Sequence, residues 1–195
     1  MFVHQTRDYE FAIARNSVSP KVAAVSFQTS GKYDAVICDI DGCLSPESHA
    51  PINIKGLSSL AEHNRRATEH RDRPIVTLCS GRPIGFVECL CRLIHNTLVP
   101  CIGENGVWLW RPGDNSFECD PSITDEHLEV VHEARKLLRS LYQPSGVIQQ
   151  PGKTASVALY HPDTEYLRSI VPAISEAFER RDWPMRVSMT WLYIN

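Results

Sequence analysis

The hydrophobic pattern of the first half alternates between short apolar runs and longer segments with helical spacing. The run YDAVICDI at residues 33–40 is typical of a strand buried on both faces, and PIVTLCS at residues 74–80 predicts a second buried strand. Apolar residues recur at helical spacing over residues 53–70, and again over residues 84–98 behind Pro83, which suits a first helical turn. A third short strand follows in VPCIGENGVWLW. This alternation predicts an α/β fold with a parallel sheet.

The pattern changes after Arg111. The turn sequence RPGDNS separates two short apolar stretches and predicts a hairpin. Residues 124–142 and 163–181 have helical spacing, with Thr124 as the N-cap of the first helix. GVIQQ, TASVALY and MRVSMTWLYIN are strand-like, so this half predicts a second, smaller α+β domain. The predicted parts are an N-terminal extension, a core and this domain, at residues 1–31, 32–112 and 113–195.

Composition excludes several classes of protein. The 195 residues are 43 % hydrophobic and carry a net charge of −3, as in an ordinary globular protein, and no basic face indicates a nucleic-acid partner. No apolar run is long enough to cross a membrane. The seven cysteines are an odd number without a C-x-x-C pair, which favours reduced thiols and a cytoplasmic location. The sequence leaves open whether the chain forms a homo-oligomer.

Two carboxylates stand at the end of the first apolar run. Asp39 and Asp41 are two residues apart, so they share one face of an extended strand, and Gly42 then breaks the strand. Ligands of parallel sheets bind beyond the carboxyl ends of the strands. Two carboxylates close together need a cation or a shared proton. A divalent metal such as Mg²⁺ binds carboxylate and phosphate oxygens and fits this pair, and a carboxylate can also accept a phosphoryl group.

The second strand ends in groups suited to an anion. Ser80 offers a hydroxyl donor, and the backbone amides of Gly81 and Arg82 lead into the N-terminus of the next helix. Backbone N–H groups and the helix dipole favour a phosphate at such a place. The competing interpretation is that Ser80 only caps a turn.

Together, the motifs DIDGCL, TLCSGRP and GENG resemble those of the haloacid-dehalogenase-like phosphatases. The closest likeness is to the branch with a large α/β cap, which includes Cof-type hydrolases, sugar-phosphate phosphatases and phosphomannomutase. The resemblance implies a Rossmann-like parallel core with a cap domain, Mg²⁺ as cofactor and a small phosphorylated substrate. It also implies roles for residues: Asp39 as nucleophile and metal ligand, Asp41 as general acid/base and as metal ligand through its carbonyl, and Gly42, Ser80, Gly81, Arg82 and Asn105 around the phosphate or substrate.

Some positions depart from the family pattern. Position 43 is Cys, where the family usually has Thr. The family also has a lysine near the nucleophile and a downstream acidic loop, and the chain stops at WLYIN before either, which predicts a core that is incomplete at its C-terminus. GDNSFECD at residues 113–120 resembles the acidic loop but is interpreted as a hairpin turn. Lys153 in PGKTASVALY is interpreted as an exposed lysine at a strand end.

Three functions stay open on the sequence. The first is Mg²⁺-dependent hydrolysis of a phosphomonoester, such as a sugar phosphate, through an aspartyl-phosphate. The second is a truncated or degenerate chain that is not catalytic and binds phosphate or a partner. The third is a phosphomutase. The eight histidines are scattered and predict no zinc site.

Overall fold

The structure, a computed structural model, describes residues 28–46, 50–189 and 193–194, the last two by their backbone alone. Most of the predicted N-terminal extension, residues 1–31, lies outside the described residues. Part of the predicted C-terminal strand also lies outside them.

The first half of the chain contains a parallel β-sheet. Strand β1 (Ala35–Cys38) pairs in parallel with β2 (Ile75–Leu78). A parallel bridge between Cys79 and Ile102 then links the end of β2 to β3 (Cys101–Gly103). The alternation of strands and helices predicted from the hydrophobic pattern is confirmed, and with it the α/β class with a parallel sheet.

Two helices connect the parallel strands. Helix α1 (Ile54–His70) begins after Asn53, whose side chain accepts a hydrogen bond from the Gly56 N–H at 3.1 Å. Helix α2 (Ile84–Leu93) follows Pro83. Both helices and the strands bury one apolar cluster, which drives their packing. Its buried members are Ile40, Leu57, Leu78, Val87, Leu90, Cys91, Ile94, Cys101 and Trp110.

Helix α2 ends at Leu93, earlier than the predicted boundary at residue 98. The buried Asn96 side chain stops it, because its Oδ1 accepts hydrogen bonds from the N–H groups of Leu98 at 3.3 Å and Val99 at 3.0 Å. Its Nδ2 also donates to the Thr77 hydroxyl on β2 at 2.9 Å. A side chain that satisfies the backbone in this way competes with helical hydrogen bonds.

Strand β1 departs from the prediction of burial on both faces. None of its residues is fully buried, and Ile37 is 41 % exposed. Among the described residues β1 pairs with β2 alone, so its other edge has no described neighbour. The same apolar composition predicted burial correctly for β2, whose Ile75 and Leu78 are fully buried. Composition therefore identifies a strand but does not reveal how many neighbours it has.

An antiparallel hairpin extends the sheet beyond β3. Strand β4 (Trp108–Arg111) pairs with β3 and with β5 (Ser116–Cys119). Asn115 in the turn has a φ of 54° and accepts a hydrogen bond from the Trp110 indole N–H at 3.0 Å. The hairpin predicted at residues 113–120 is confirmed.

The second half combines two helices with three short antiparallel strands. Thr124 caps the first helix as predicted, because its hydroxyl accepts a hydrogen bond from the His127 N–H at 3.3 Å. A second apolar cluster, separate from the first, lies under these elements. No helix in the described part of the chain is both long and apolar enough to cross a bilayer. The elements are α3 (Asp125–Tyr142), β6 (Ile148–Gln149), β7 (Leu159–Tyr160), α4 (Thr164–Glu179) and β8 (Tyr193–Ile194).

Candidate active site

The carboxylates and the predicted phosphate-binding turn lie at one end of the parallel sheet. The register pairs Cys38 with Leu78, and the Cys79 N–H donates to the Cys38 carbonyl at 3.0 Å. Asp39 and Ser80 therefore follow the ends of two neighbouring strands, at the edge where ligands of parallel sheets bind. Asp39 is exposed, whereas Ser80 is 5 % exposed.

A tight turn follows Asp39. The Ile40 carbonyl accepts hydrogen bonds from three backbone N–H groups, and Gly42 has a φ of 76°. This left-handed conformation carries little cost for glycine because it has no Cβ. The turn fixes the direction of the chain between the two aspartates. The three donors to Ile40 are the N–H groups of Cys43, Leu44 and Ser45, at 3.2, 2.9 and 2.8 Å.

The two carboxylates have different partners. Asp39 Oδ1 accepts a hydrogen bond from the Ile40 N–H at 2.7 Å, and no described residue donates to Oδ2. Asp41 is held by Arg82, which donates from Nε to Oδ2 at 2.8 Å and from Nη2 to Oδ1 at 2.6 Å. The guanidinium also lies 5.3 Å from the Phe86 ring centroid. The Arg82 contact orients Asp41 and offsets the repulsion between neighbouring carboxylates.

The predicted phosphate-binding turn, residues 80–82, is hydrogen-bonded to the turn after β3. The Asn105 N–H donates to the Ser80 carbonyl at 3.2 Å, and the Arg82 N–H donates to the Ser80 hydroxyl at 3.3 Å. A Cβ on Gly81 would stand 2.9 Å from Asn105 Oδ1, so a larger residue would displace this side chain. The structure thus brings Ser80, Gly81, Arg82 and Asn105 together.

Glu104, a residue without a predicted role, is a buried carboxylate that is 1 % exposed. It accepts hydrogen bonds from the Thr154 N–H at 2.9 and 3.0 Å, from the Thr154 hydroxyl at 3.0 Å, and from the Ala155 N–H at 3.0 Å. Its partners lie in the segment between β6 and β7, residues 150–158, which we call the bridging loop. Glu104 thereby ties the second half of the chain to the end of β3.

Other contacts fix the bridging loop in the same position. The Trp108 indole N–H donates to the Thr154 hydroxyl at 2.7 Å, and Arg135 on α3 donates to the Lys153 carbonyl at 2.9 Å. Gly152 has a φ of 83°, and a Cβ placed there would lie 3.5 Å from the Pro83 ring. The loop therefore lies against the start of α2, beside the predicted phosphate-binding turn.

The prediction that Lys153 is exposed is wrong, because its side chain is only 5 % exposed. Sequence alone placed it at a strand end, whereas the fold packs the bridging loop against α2. Burial lowers the pKa of the Lys153 ammonium, the charge of Glu104 opposes this effect, and the charge of Arg82 adds to it. Lys153 is therefore close enough to both Glu104 and Arg82 for their charges to act on it.

Two thiols flank Asp39. Burial is the main cause that raises the pKa of both Cys38 and Cys79, and the Asp39 charge contributes to both shifts. For Cys38, the neighbouring Cys43 thiol raises the pKa further. Cys38 and Cys79 are therefore both close enough to Asp39 for its charge to act on their thiols.

Asp39 and Asp41 are the predicted metal ligands. Carboxylate and carbonyl oxygens are hard ligands, and Mg²⁺ is commonly bound by one or two carboxylates together with phosphate oxygens and water. A carboxylate oxygen of Asp39 suits this role, whereas Arg82 occupies both side-chain oxygens of Asp41 and leaves its carbonyl as the candidate ligand. The described residues contain no group of three His, Cys, Asp or Glu side chains that could hold a metal. The donors present fit an ion that keeps several waters.

A separate cavity of about 440 Å³ lies inside the second half. Its lining is mainly apolar, and none of the predicted site residues contributes to it. The candidate site is therefore the open edge of the parallel sheet and not this cavity.

Comparison with known proteins identifies structural neighbours only. No protein-family model matches the chain, and no curated protein matches its sequence. The Thermoplasma acidophilum protein 0175 has a TM-score of 0.52 and 19 % identity, covering 81 % of this chain and 61 % of that chain. A haloacid dehalogenase-like hydrolase from Bacteroides thetaiotaomicron has a TM-score of 0.53 and 16 % identity, covering 84 % and 70 %. A trehalose-6-phosphate phosphatase related protein has a TM-score of 0.51 and 18 % identity, covering 81 % and 65 %.

The chain has the fold of the haloacid-dehalogenase-like hydrolases, as the motif resemblance predicted. It spans between 61 % and 70 % of the length of these three proteins. At identities of 16 % to 19 % the likeness establishes the fold alone.

The burial of Glu104 and Lys153 could not be predicted from their local sequence. Glu104 stands in GENG, where a polar residue between glycines is typical of an exposed turn. Its partner Thr154 is 50 residues away. Only the apolar residues that follow Lys153 hinted that this segment enters a core.

We expect Glu104→Gln to lower the free energy of unfolding by about 1–3 kcal/mol, because an amide replaces a charged acceptor and turns N–H groups toward donors. Urea unfolding measures the loss. Glu118→Gln, which breaks an ion pair with Arg111 on the hairpin surface, is the matched control and should cost less than about 1 kcal/mol. Equal losses in the two variants would contradict the role given to Glu104.

The lowered pKa of Lys153 predicts pH-dependent stability. In the unfolded chain Lys153 has its ordinary pKa of 10.5, and in the folded chain its pKa is lower. Between the folded pKa and 10.5 the unfolded state therefore binds more protons than the folded state. The free energy of unfolding should therefore rise with pH across this window, relative to Lys153→Met, and level off above it. Urea unfolding at a series of alkaline pH values measures the difference. A constant difference up to pH about 10 would contradict the shift.

Proposed function

We propose that the chain is a phosphomonoester hydrolase that acts on a small phosphorylated metabolite, such as a sugar phosphate, with Asp39 as the nucleophile. The proposal rests mainly on the difference between the two carboxylates. Asp39 is exposed, and no described residue donates a hydrogen bond to its Oδ2, whereas Asp41 is oriented by Arg82. A nucleophile needs an accessible oxygen, whereas a general acid/base needs a fixed position. The fold shared with haloacid-dehalogenase-like hydrolases supports the same assignment.

The proposed reaction has two steps. Asp39 Oδ2 attacks the phosphorus, the ester bond breaks, and the leaving oxygen takes a proton from Asp41, so that the phosphoryl group is bonded to Asp39. Asp41 then accepts a proton from a water molecule, which attacks the phosphorus and releases inorganic phosphate with Asp39 restored. Arg82 must release Asp41 before the first step, and the arriving phosphate gives the guanidinium another anion to bind.

The surrounding groups stabilise the transferring phosphoryl charge. The Ser80 hydroxyl and the N–H of Gly81 would bind phosphoryl oxygens at the N-terminal end of α2, with the Asn105 N–H bonded to the Ser80 carbonyl. Mg²⁺, held by Asp39 and the Asp41 carbonyl, would supply positive charge opposite the phosphoryl oxygens. Electrostatic neutralisation of this kind is the main contribution to phosphoryl transfer.

The second half of the chain would act as the cap. The bridging loop brings Lys153 beside Arg82, where its charge would attract an anionic substrate and its bulk would limit access of water. A small phosphorylated molecule is therefore the proposed partner, with no nucleic acid or membrane involved. One neighbour is related to a trehalose-6-phosphate phosphatase, so trehalose 6-phosphate belongs among the first substrates to test.

Phosphate release from a panel of sugar phosphates, with and without Mg²⁺, tests the proposal. We expect Mg²⁺-dependent release that falls to the uncatalysed level in Asp39→Asn, because the amide is a poor nucleophile. In Asp41→Asn we expect a loss of about 10²-fold to 10⁴-fold, the usual contribution of a general acid/base. Folding of each variant is checked by circular dichroism.

Asp114→Asn is the matched control for these substitutions. Asp114 is an exposed carboxylate in the hairpin turn, where it accepts hydrogen bonds from Ser116, so its loss should leave turnover unchanged. Full activity in Asp39→Asn, or equal losses in Asp39→Asn and Asp114→Asn, would contradict the proposed nucleophile.

A second candidate is a chain that binds phosphate without turnover. The ion pair between Arg82 and Asp41 favours it, because both oxygens of the proposed acid/base are engaged. Phosphate binding detected by calorimetry, together with no release from any substrate, would establish this alternative. The phosphomutase hypothesis stays a prediction.

A further inference from the structure

The cavity in the second half of the chain has the size of a small-molecule site. Its volume of about 440 Å³ lies within the range of roughly 300–1,000 Å³ that is usual for such sites. Helices α3 and α4, the bridging loop and residues 184–187 contribute to its wall. Members of the second apolar cluster that line it include Val131, Val157, Ile174 and Phe178. A ligand in this cavity would therefore need an apolar body.

One polar side chain of this wall has no partner. The Ser156 hydroxyl oxygen is buried, and no described residue is hydrogen-bonded to it. The Arg135 guanidinium donates to the carbonyls of Lys153 and Ser156, at 2.9 and 3.3 Å, and does not bond the hydroxyl. Buried hydroxyls in native proteins are usually paired with protein groups or with a bound molecule, because an unpaired one is costly. A polar group of a ligand would pair Ser156.

The exposed part of the wall offers hydrogen-bond donors. Arg186 is exposed there, and no described residue pairs with its guanidinium. His127 Nδ1 accepts a hydrogen bond from the Thr124 N–H at 3.2 Å, so the neutral ring carries its proton on Nε2, which is then a donor. The acidic residues of the first turn of α3, Asp125 and Glu126, do not line the cavity. This part of the wall therefore favours an anion.

We propose that the cavity is a binding site for a small carboxylate with an aliphatic chain, such as a medium-chain fatty acid. The chain would lie against the apolar wall, and the carboxylate would accept hydrogen bonds from Arg186 and from the Ser156 hydroxyl. A guanidinium can bind a carboxylate through two parallel hydrogen bonds, which fixes the position of the head group. A sugar phosphate does not suit this wall, because its hydroxyls would be buried without partners.

The bridging loop connects this cavity to the candidate active site. Ala155 lines the cavity, and its N–H donates to Glu104 Oε2 at 3.0 Å. A ligand against Ala155 and Ser156 would hold the loop in the position where it bonds Glu104, beside the start of α2. Any gain in substrate affinity that follows is matched by an equal gain in affinity for the carboxylate. This coupling rests on the proposed function, whereas binding in the cavity does not.

Calorimetric titration of the full chain with decanoate, below its micelle-forming concentration, tests the site without any assay of activity. We expect saturable binding that Arg186→Gln weakens about tenfold or more, because a charge-assisted pair of hydrogen bonds is lost. Arg139→Gln is the matched control, since Arg139 is an exposed arginine on α3 outside the cavity lining, and it should leave the affinity unchanged. Decanol, which has the same chain without the charge, should bind more weakly than decanoate.

Two further variants test the wall. Val130 is half-buried on α3 and lines the cavity, so the larger ring in Val130→Trp should fill the space and abolish decanoate binding. Leu137→Trp is the matched control, because Leu137 is half-buried on the same helix and does not line the cavity. Ser156→Ala should weaken binding and leave the melting temperature of the free chain unlowered, because its hydroxyl has no partner to lose. Circular dichroism checks the folding of each variant.

Three results would overturn the proposal. The first is no binding of decanoate to a native chain that is folded by circular dichroism. The second is an equal affinity in the native chain and in Arg186→Gln, and the third is retained binding in folded Val130→Trp, because the ligand would then lie elsewhere. An equal affinity for decanol and decanoate would overturn the assignment of a carboxylate.

Phosphate release with and without decanoate tests the coupling. We expect decanoate to lower the KM of the substrate about fivefold or more, as is typical of coupled sites. Glu104→Gln should still bind decanoate but lose this response, because the loop is no longer tied to the end of β3. An unchanged KM in a native chain saturated with decanoate would overturn the coupling. A chain with no phosphate release at all would contradict the proposed function, and calorimetry would still decide the site.

Discussion

The buried carboxylate of Glu104 is the contact on which the arrangement of the site depends. Removing a carboxylate from water is costly unless hydrogen bonds replace its hydration, and Glu104 receives them from Thr154 and Ala155. The same bonds satisfy backbone N–H groups of the bridging loop, which has little regular structure of its own. One side chain at the end of β3 therefore fixes a loop from the second half, and this loop contains the buried Lys153.

Charge balance at the sheet edge follows from this arrangement. Asp39 and Asp41 would repel each other, and the guanidinium of Arg82 compensates one of them through two hydrogen bonds. The other carboxylate faces solvent with one oxygen unengaged by described residues. The two aspartates therefore differ through their surroundings: the Asp39 carboxylate is accessible, whereas the Asp41 carboxylate is held by Arg82. The proposed roles of nucleophile and acid/base use this division of partners, and they require Arg82 to release Asp41 during the reaction.

Features that depend on nearby residues could be predicted from the sequence. Features that depend on contacts between residues far apart in the chain could not. Apolar runs located β1 and β2, and Thr124 was identified as an N-cap, because strand burial and capping depend on nearby residues. The motif positions Ser80, Gly81, Arg82 and Asn105 do lie together. The exposure of Ile37, the burial of Lys153 and the role of Glu104 each depend on neighbours distant in the chain, which no local pattern encodes.

The central claim is that Asp39 receives the phosphoryl group, and trapping that group on the chain tests it most directly. The protein is mixed with radiolabelled acetyl phosphate and Mg²⁺, quenched in acid and digested, and the label is located by peptide sequencing. The account predicts label on Asp39 that hydroxylamine removes, as expected of an acyl phosphate, and none in Asp39→Asn. Label on another residue, or label that persists in Asp39→Asn, would contradict it.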